Sequence, residues 1–268
     1  MKSFWFILLL SIGFLAQDEG SVEVYRVEKE EHIELHARNT HLFPVTIELD
    51  AETERLEENK RLPVIDFIPP QSNQLLVSFK YTDLSQGWDL STKYRYYVGS
   101  IFARHNDSFA YRLPFPVGET YKVDQGFGGS FSHYGDLQHA LDFNMPKGTR
   151  IYAARSGKVV MMEEEHNRGG GTEDMMEYAN FITILHDDGT FADYSHLRHQ
   201  GVEVRLGQEV RTGQLIGYSG ATGYATGPHL HFTVKKAKRG GGFISIPVKF
   251  TTKDGIIELK EGQSYIGY

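Results

Sequence analysis

Apolar and polar positions alternate in short runs over the first part of the chain. Val22 and Val24, then Ile33, Leu35 and Ala37, then Val45, Ile47 and Leu49, then Leu75, Val77 and Phe79 are each spaced by one residue. That is the period of strands with one buried face. Asn39, Pro44, Pro63, the Pro69-Pro70 pair and Gly87 punctuate the runs. The pattern predicts an antiparallel β-sandwich of immunoglobulin-like character. The charged segment from Glu52 to Lys60 loses the period and reads as a short helix or a loop. Pro114, Pro116 and Gly118 then mark a boundary, dividing residues 21–115 from residues 116–268. Beyond it, apolar strands separated by glycine turns are expected at Arg150 to Ala153, Gly157 to Met162, Phe181 to His186, Phe191 to Ser195, Gln214 to Tyr218 and Leu230 to Val234. The segment between Glu163 and Glu177, with Gly169-Gly170-Gly171 inside it, is expected to be a flexible loop. Little reads as amphipathic helix, so the fold class is all-β.

Composition adds an address. Lys2 precedes an apolar run from Phe4 to Ala16, after which Gln17-Asp18-Glu19 turns polar. A run of roughly 13 residues is short of the roughly 20 needed to cross a bilayer as a helix, so residues 1–20 read as a cleavable signal peptide. Export to the periplasm or the extracellular space follows, with no stable membrane insertion after cleavage. The chain has no cysteine, which excludes disulfides and a thiolate nucleophile. Its net charge is −7. The one dense basic run, Lys235, Lys236, Lys238 and Arg239 beside Gly240-Gly241-Gly242, reads as a solvated hairpin, and no nucleic-acid partner is indicated.

The candidate chemistry lies in the second part. In Gly227-Pro228-His229-Leu230-His231-Phe232 the two histidines alternate with an apolar residue. On a strand they project from one face with Cβ atoms roughly 6 to 7 Å apart. Asp142 sits among apolar neighbours in Ala140-Leu141-Asp142-Phe143, where an ionised carboxylate needs a compensating partner. His196 closes the stretch Asp193-Tyr194-Ser195-His196. Together with His133 or His139, these residues have the composition of a zinc hydrolase site: two histidines and a carboxylate as ligands, a position for water, and spare histidines to move protons. No GxSxG elbow and no HExxH helix occurs. His186 and His199 read as surface residues and Tyr194 as strand packing.

The segment from His133 to Val160, with Ala140-Leu141-Asp142-Phe143 and Met145-Pro146-Lys147-Gly148-Thr149, resembles the first motif of lysostaphin-like (LytM-type) zinc metallopeptidases. Tyr194-Ser195-His196-Leu197, Gly213-Gln214-Leu215-Ile216-Gly217 and Gly227-Pro228-His229-Leu230-His231-Phe232 resemble the remainder, in order. The resemblance covers about 100 residues and leaves the front part without a signature. It implies an antiparallel β fold with a narrow groove, one Zn2+ per chain, and hydrolysis of peptide bonds in peptidoglycan cross-links. It further implies zinc held by His231, Asp142 and a first-motif histidine, with His196 and His229 as the unligated catalytic pair. The usual spacing puts the aspartate four positions after the first ligand, whereas here His139 precedes Asp142 by three and His133 by nine. His133, after Phe131-Ser132, resembles a variant in which a longer loop carries that ligand, and is preferred.

The competing expectation is a non-catalytic wall-binding or regulatory module with the same fold, which would be expected to lose ligand positions. A cupin-like metal oxygenase also uses HxH strands, but there the pair opens the ligand series. The front part, with no site of its own, is expected to position the peptidase on the wall or on an envelope protein, so that deleting residues 21–115 would spare small peptides.

Overall fold

The computed structural model describes residues 20–268. The expected signal peptide lies almost wholly outside them. Among the described residues no helix is long and apolar enough to cross a membrane.

The alternating runs of the front part form two sheets. Val22–Glu28, His32–Asn39, Ser72–Tyr81 and Leu56–Glu58 pair in that order, and Val64–Ile68, Val45–Glu54 and Asp89–Val98 pair in a second sheet, antiparallel throughout. Ile33, Leu35 and Ala37 of one sheet and Val45, Ile47 and Leu49 of the other belong to one apolar cluster, as the two-residue period requires. The charged segment after Glu52 is neither helix nor loop. The strand continues to Glu54, Arg55 turns it with φ 58, and Leu56–Glu58 joins the opposite sheet. Charged residues extend a strand there because only Leu56 faces inward.

The second part is built on a large sheet. Its order is Glu209–Val210, Gly157–Glu163, Phe181–Leu185, Phe191–Ser195, His229–Ala237, Leu141–Asn144, Thr120–Gln125 and Ser264–Ile266, with Phe243–Ser245 also paired to His229–Ala237. A three-stranded sheet of Arg150–Tyr152, Leu215–Ser219 and Leu197–Val202 accompanies it. Leu230, Phe232 and Val234 point to one side of the large sheet and share a core with Tyr194, Ala192, Ile182 and Ile184. The register brings His231, Ser195 and Phe181 into line on the other side, followed by Thr233, Asp193 and Thr183, then by Lys235, Phe191 and Leu185.

That second side explains how the two parts meet. Phe191, Val160 and Met161 belong to the front part's cluster, and Phe181, Leu185 and Phe243 pack against it. The front part therefore shares a core with the large sheet instead of hanging from it. The expected division after residue 115 falls inside the second core: Tyr111, Leu113 and Phe115 are fully buried there, and Ala110–Arg112 pairs in parallel with Lys249–Thr252. The prolines mark irregular backbone within that core, where the Pro114 carbonyl accepts from Tyr152 N at 3.0 Å.

Two further expectations change. The 163–177 insertion is ordered by Gly169–Gly170, which pairs in parallel with Gly223–Tyr224, and by a 3-10 helix over Glu173–Tyr178. The basic hairpin is anchored: Lys235 pairs with Asp193, Lys238 with Asp136, and Arg239 Nε lies 3.8 Å from Glu48 Oε1 of the front part.

Candidate metal centre and active site

The centre forms where Leu141–Asn144 pairs with His229–Ala237. Asp142 is the register partner of His231, and Asn144 of His229. The alternation that buries Leu230 and Phe232 therefore leaves Asp142, His229 and His231 on the same open side. His231 Nδ1 lies 2.8 Å from Asp142 Oδ1, and His229 Nε2 lies 3.8 Å from the same oxygen. His133 arrives from the irregular loop after Gln125 and sets its Nε2 3.3 Å from Asp142 Oδ2. One ligand atom each from His133, Asp142 and His231 falls within 4.8 Å of the others.

His139 is not part of this group. Its backbone N–H and its Nδ1 are engaged by Ser245 Oγ at 2.9 Å and Ser245 O at 3.1 Å, and its ring meets Phe127 edge-on. Three residues along this backbone turn its side chain away from Asp142, whereas the longer loop returns His133 to it.

Each ring is held through one nitrogen so that the other faces the centre. His133 Nδ1 is bonded to Gly126 O at 2.9 Å, His196 Nδ1 to Thr222 O at 2.7 Å, and His229 Nδ1 to Gly227 O at 2.9 Å. A carbonyl can only accept, so Nδ1 carries a hydrogen in all three rings, and in the neutral form of each the lone pair is on Nε2. His231 is reversed: Nε2 bonds Thr233 Oγ1 at 2.9 Å, leaving Nδ1 toward Asp142. His196 occupies the break between Phe191–Ser195 and Leu197–Val202 with φ 64, a left-handed conformation that aims its ring back at the centre. Its ring centroid lies 4.5 Å from that of His229 and 5.8 Å from that of His231.

The electrostatics suit a cation. Burial pushes the Asp142 carboxyl up, but the imidazoles of His133 and His231 outweigh it and hold the group well below the usual carboxylate range. Burial, with His229 and His231 nearby, lowers His196 to about 3. His133 Nε2 is buried and makes no hydrogen bond. A buried imidazole nitrogen that makes no hydrogen bond, 3.3 Å from a carboxylate oxygen and near a second imidazole, has the composition of a zinc donor set, so these side chains fit the metal that the resemblance implies.

Sequence reasoning missed Gln125 and Thr233, which hold Asp142 and His231. Thr233 carries a signal, since it follows His231 on the same strand face; Gln125 carries none. His186, expected at the surface, is 3% exposed. Its Nδ1 bonds Ser156 O at 2.8 Å.

Residues 136–241 match the model of peptidase family M23, a segment that begins just after His133. Lysostaphin of Staphylococcus staphylolyticus is 40% identical over 114 residues, 42% of this chain and 22% of that protein. The peptidoglycan DD-endopeptidase ShyA of Vibrio cholerae is 32% identical over 146 residues, 53% of this chain and 31% of that protein. The solved structure of the antimicrobial peptidase lysostaphin from Staphylococcus simulans is 36% identical, covering 43% of this chain and 42% of that one with a TM-score of 0.33. The chain thus spans less than a third of the length of these two relatives. It is the segment carrying Asp142, His196, His229 and His231 that matches peptidase family M23 and is similar to the lysostaphin/LytM-type peptidases.

Proposed function

We propose that the protein is a zinc-dependent endopeptidase that hydrolyses peptide bonds in the cross-links of bacterial peptidoglycan. The observation that carries this reading is the convergence of His133, Asp142 and His231, one ligand atom of each within 4.8 Å of the others, with His133 Nε2 buried and making no hydrogen bond. The relatives named lysostaphin and peptidoglycan DD-endopeptidase supply the substrate class. Two imidazoles and one carboxylate are the ligands. These three side chains would hold a zinc ion, which when bound would supply Lewis-acid polarisation of a carbonyl and a water of pKa lowered from 15.7 to about 7.

The remaining steps belong to His196 and His229. Both rings keep Nε2 free of the carbonyls that hold Nδ1, and with centroids 4.5 Å apart a positive charge on one opposes a positive charge on the other. We assign proton acceptance to His229, whose Nε2 lies 3.8 Å from the Asp142 carboxylate, an anion that steadies the positive ring. The same ring then returns the proton to the departing amine. His196, kept neutral by burial, sits beside it and orients the attacking water through its lone pair. The substrate lies outside the cytoplasmic membrane, so the reading includes export, which the apolar run from Phe4 to Ala16 supports.

The test is bound zinc per chain, measured together with cleavage of a cross-linked muropeptide. Chelation should abolish cleavage and added zinc restore it. Undiminished cleavage by folded, metal-free protein would overturn the proposal.

A further inference from the structure

We propose that Gln125 is the positioning residue that joins the two halves of the metal centre, fixing the Asp142 carboxylate and the loop that carries His133 to one side chain. The inference rests on reading His133, Asp142 and His231 as the metal ligands.

Gln125 ends the Thr120–Gln125 strand and is 8% exposed. A bulge sets it opposite Asp142, because Asp142 pairs with Gln125 while Phe143 pairs with Val123. The amide is fully used. Nε2 donates to Asp142 Oδ2 and to Ser132 Oγ, both at 2.9 Å. Oε1 accepts the backbone N–H groups of Phe131 and Ser132, both at 3.0 Å. A primary amide offers two donors and two acceptor lone pairs, so one of its four bonds holds the ligand carboxylate and three hold the two loop residues before the ligand histidine.

The loop needs such a tie. Residues 126–134 pair with no strand, and Phe131, at 60% exposure, cannot anchor them by burial. Of their own backbone bonds, Gly129 N to Gly126 O and His133 N to Gly129 O, both 3.1 Å, stay within the loop, and Gly128 N to Gln138 O at 2.7 Å ties its first turn to the chain beyond, leaving Phe131 and Ser132 to Gln125. The donor on Asp142 Oδ2 also fixes the carboxylate's rotation, which leaves Oδ1 toward His231 and His229. An isolated loop ligand loses freedom on binding metal; one already fastened to its co-ligand has less to lose.

A second observation points the same way. A Cβ at Gly129 would lie 2.2 Å from Gln125 Cγ. Gly129 is not in the left-handed region, so its backbone admits alanine and the Gln125 side chain is the obstacle. Gly129→Ala should therefore displace the amide without touching a ligand.

The experiment is a zinc titration of the full chain by competition with a chromophoric chelator, on the wild type, Gln125→Met, Gly129→Ala and His139→Ala. Circular dichroism establishes that each is folded. Loss of a partner that orients a metal ligand weakens affinity by roughly 10- to 100-fold, the change expected for Gln125→Met and, in smaller degree, Gly129→Ala. His139→Ala should bind as the wild type does. Zinc should also slow hydrogen exchange at the Phe131 and Ser132 amides in the wild type but not in Gln125→Met. Wild-type affinity in folded Gln125→Met overturns the proposal. If that variant does not fold, unchanged affinity in Gly129→Ala overturns it equally. Failure of the wild type itself to bind one zinc removes the underlying reading as well, and is recognised without any variant.

Discussion

Along one side of the large sheet, His231, Ser195 and Asp142 stand open at one end, while Phe191, Leu185 and Met161 lie beneath the front part at the other. The same strands, Phe191–Ser195 and His229–Ala237, supply both ends. Between them runs a polar seam in which Thr183 Oγ1 donates to Asp193 Oδ1 at 2.8 Å and Lys235 pairs with the same aspartate. The two-residue period decides which residues share a side; what covers that side is decided elsewhere in the chain. The front part thus caps apolar surface that would otherwise lie beside a polar active site. A front part that shares this core is the alternative to the separable positioning module expected from the sequence.

The division can be broken from either end. His229→Ala should lower muropeptide cleavage by roughly 10²- to 10⁴-fold, while the urea midpoint stays near that of the wild type, because the ring is outside both apolar cores and its hydrogen bond is to one carbonyl two residues away. A comparable loss of stability would mean that the open end is also structural. At the covered end, Phe191→Ala removes a fully buried ring and should cost about 3–5 kcal/mol in urea unfolding, with cleavage per folded molecule unchanged. Deleting residues 21–109 uncovers the same surface, and should yield insoluble protein; soluble truncated chain that cleaves small peptides would restore the separable module. At the seam, Asp193→Asn weakens a charged hydrogen bond to Lys235, for which about 1.5–3 kcal/mol is expected.

The burial of two rings can also be broken by pH. Burial lowers His186 to about 4 and His196 to about 3. Both stay neutral in the fold but take a proton near pH 6.5 when unfolded. The unfolded chain therefore binds more protons below about 6.5, and stability falls as pH drops from there toward about 4. Urea unfolding of metal-free protein across that window should show the decline, and His186→Gln should flatten it. A level profile would contradict the burial of these rings.

Much of the open end was legible. Alternation placed His229 and His231 on one side, and the apolar neighbours of Asp142 signalled a compensated charge. The strand over Phe191–Ser195 was read with its observed limits. The covered end was harder, because period alone does not distinguish a side facing solvent from one facing a distant segment. One signal was present: Val159-Val160-Met161-Met162 is continuously apolar, as strands buried on both sides are. Val159 faces the second core and Met161 the front part's core. Gln125 was illegible because its four partners come from a bulge and a loop whose geometry no local pattern encodes.

The parallel contact of Gly169–Gly170 with Gly223–Tyr224 bears on how this protein could be redesigned. A methyl group at position 169 would stand 2.0 Å from the Ala221 carbonyl oxygen, a backbone atom that cannot step aside. A randomised library across the insertion should accordingly recover glycine there among active clones while accepting varied codons at the exposed positions 172–174, so that new recognition elements can be grafted near His196 and its Thr222 partner at a fixed anchor.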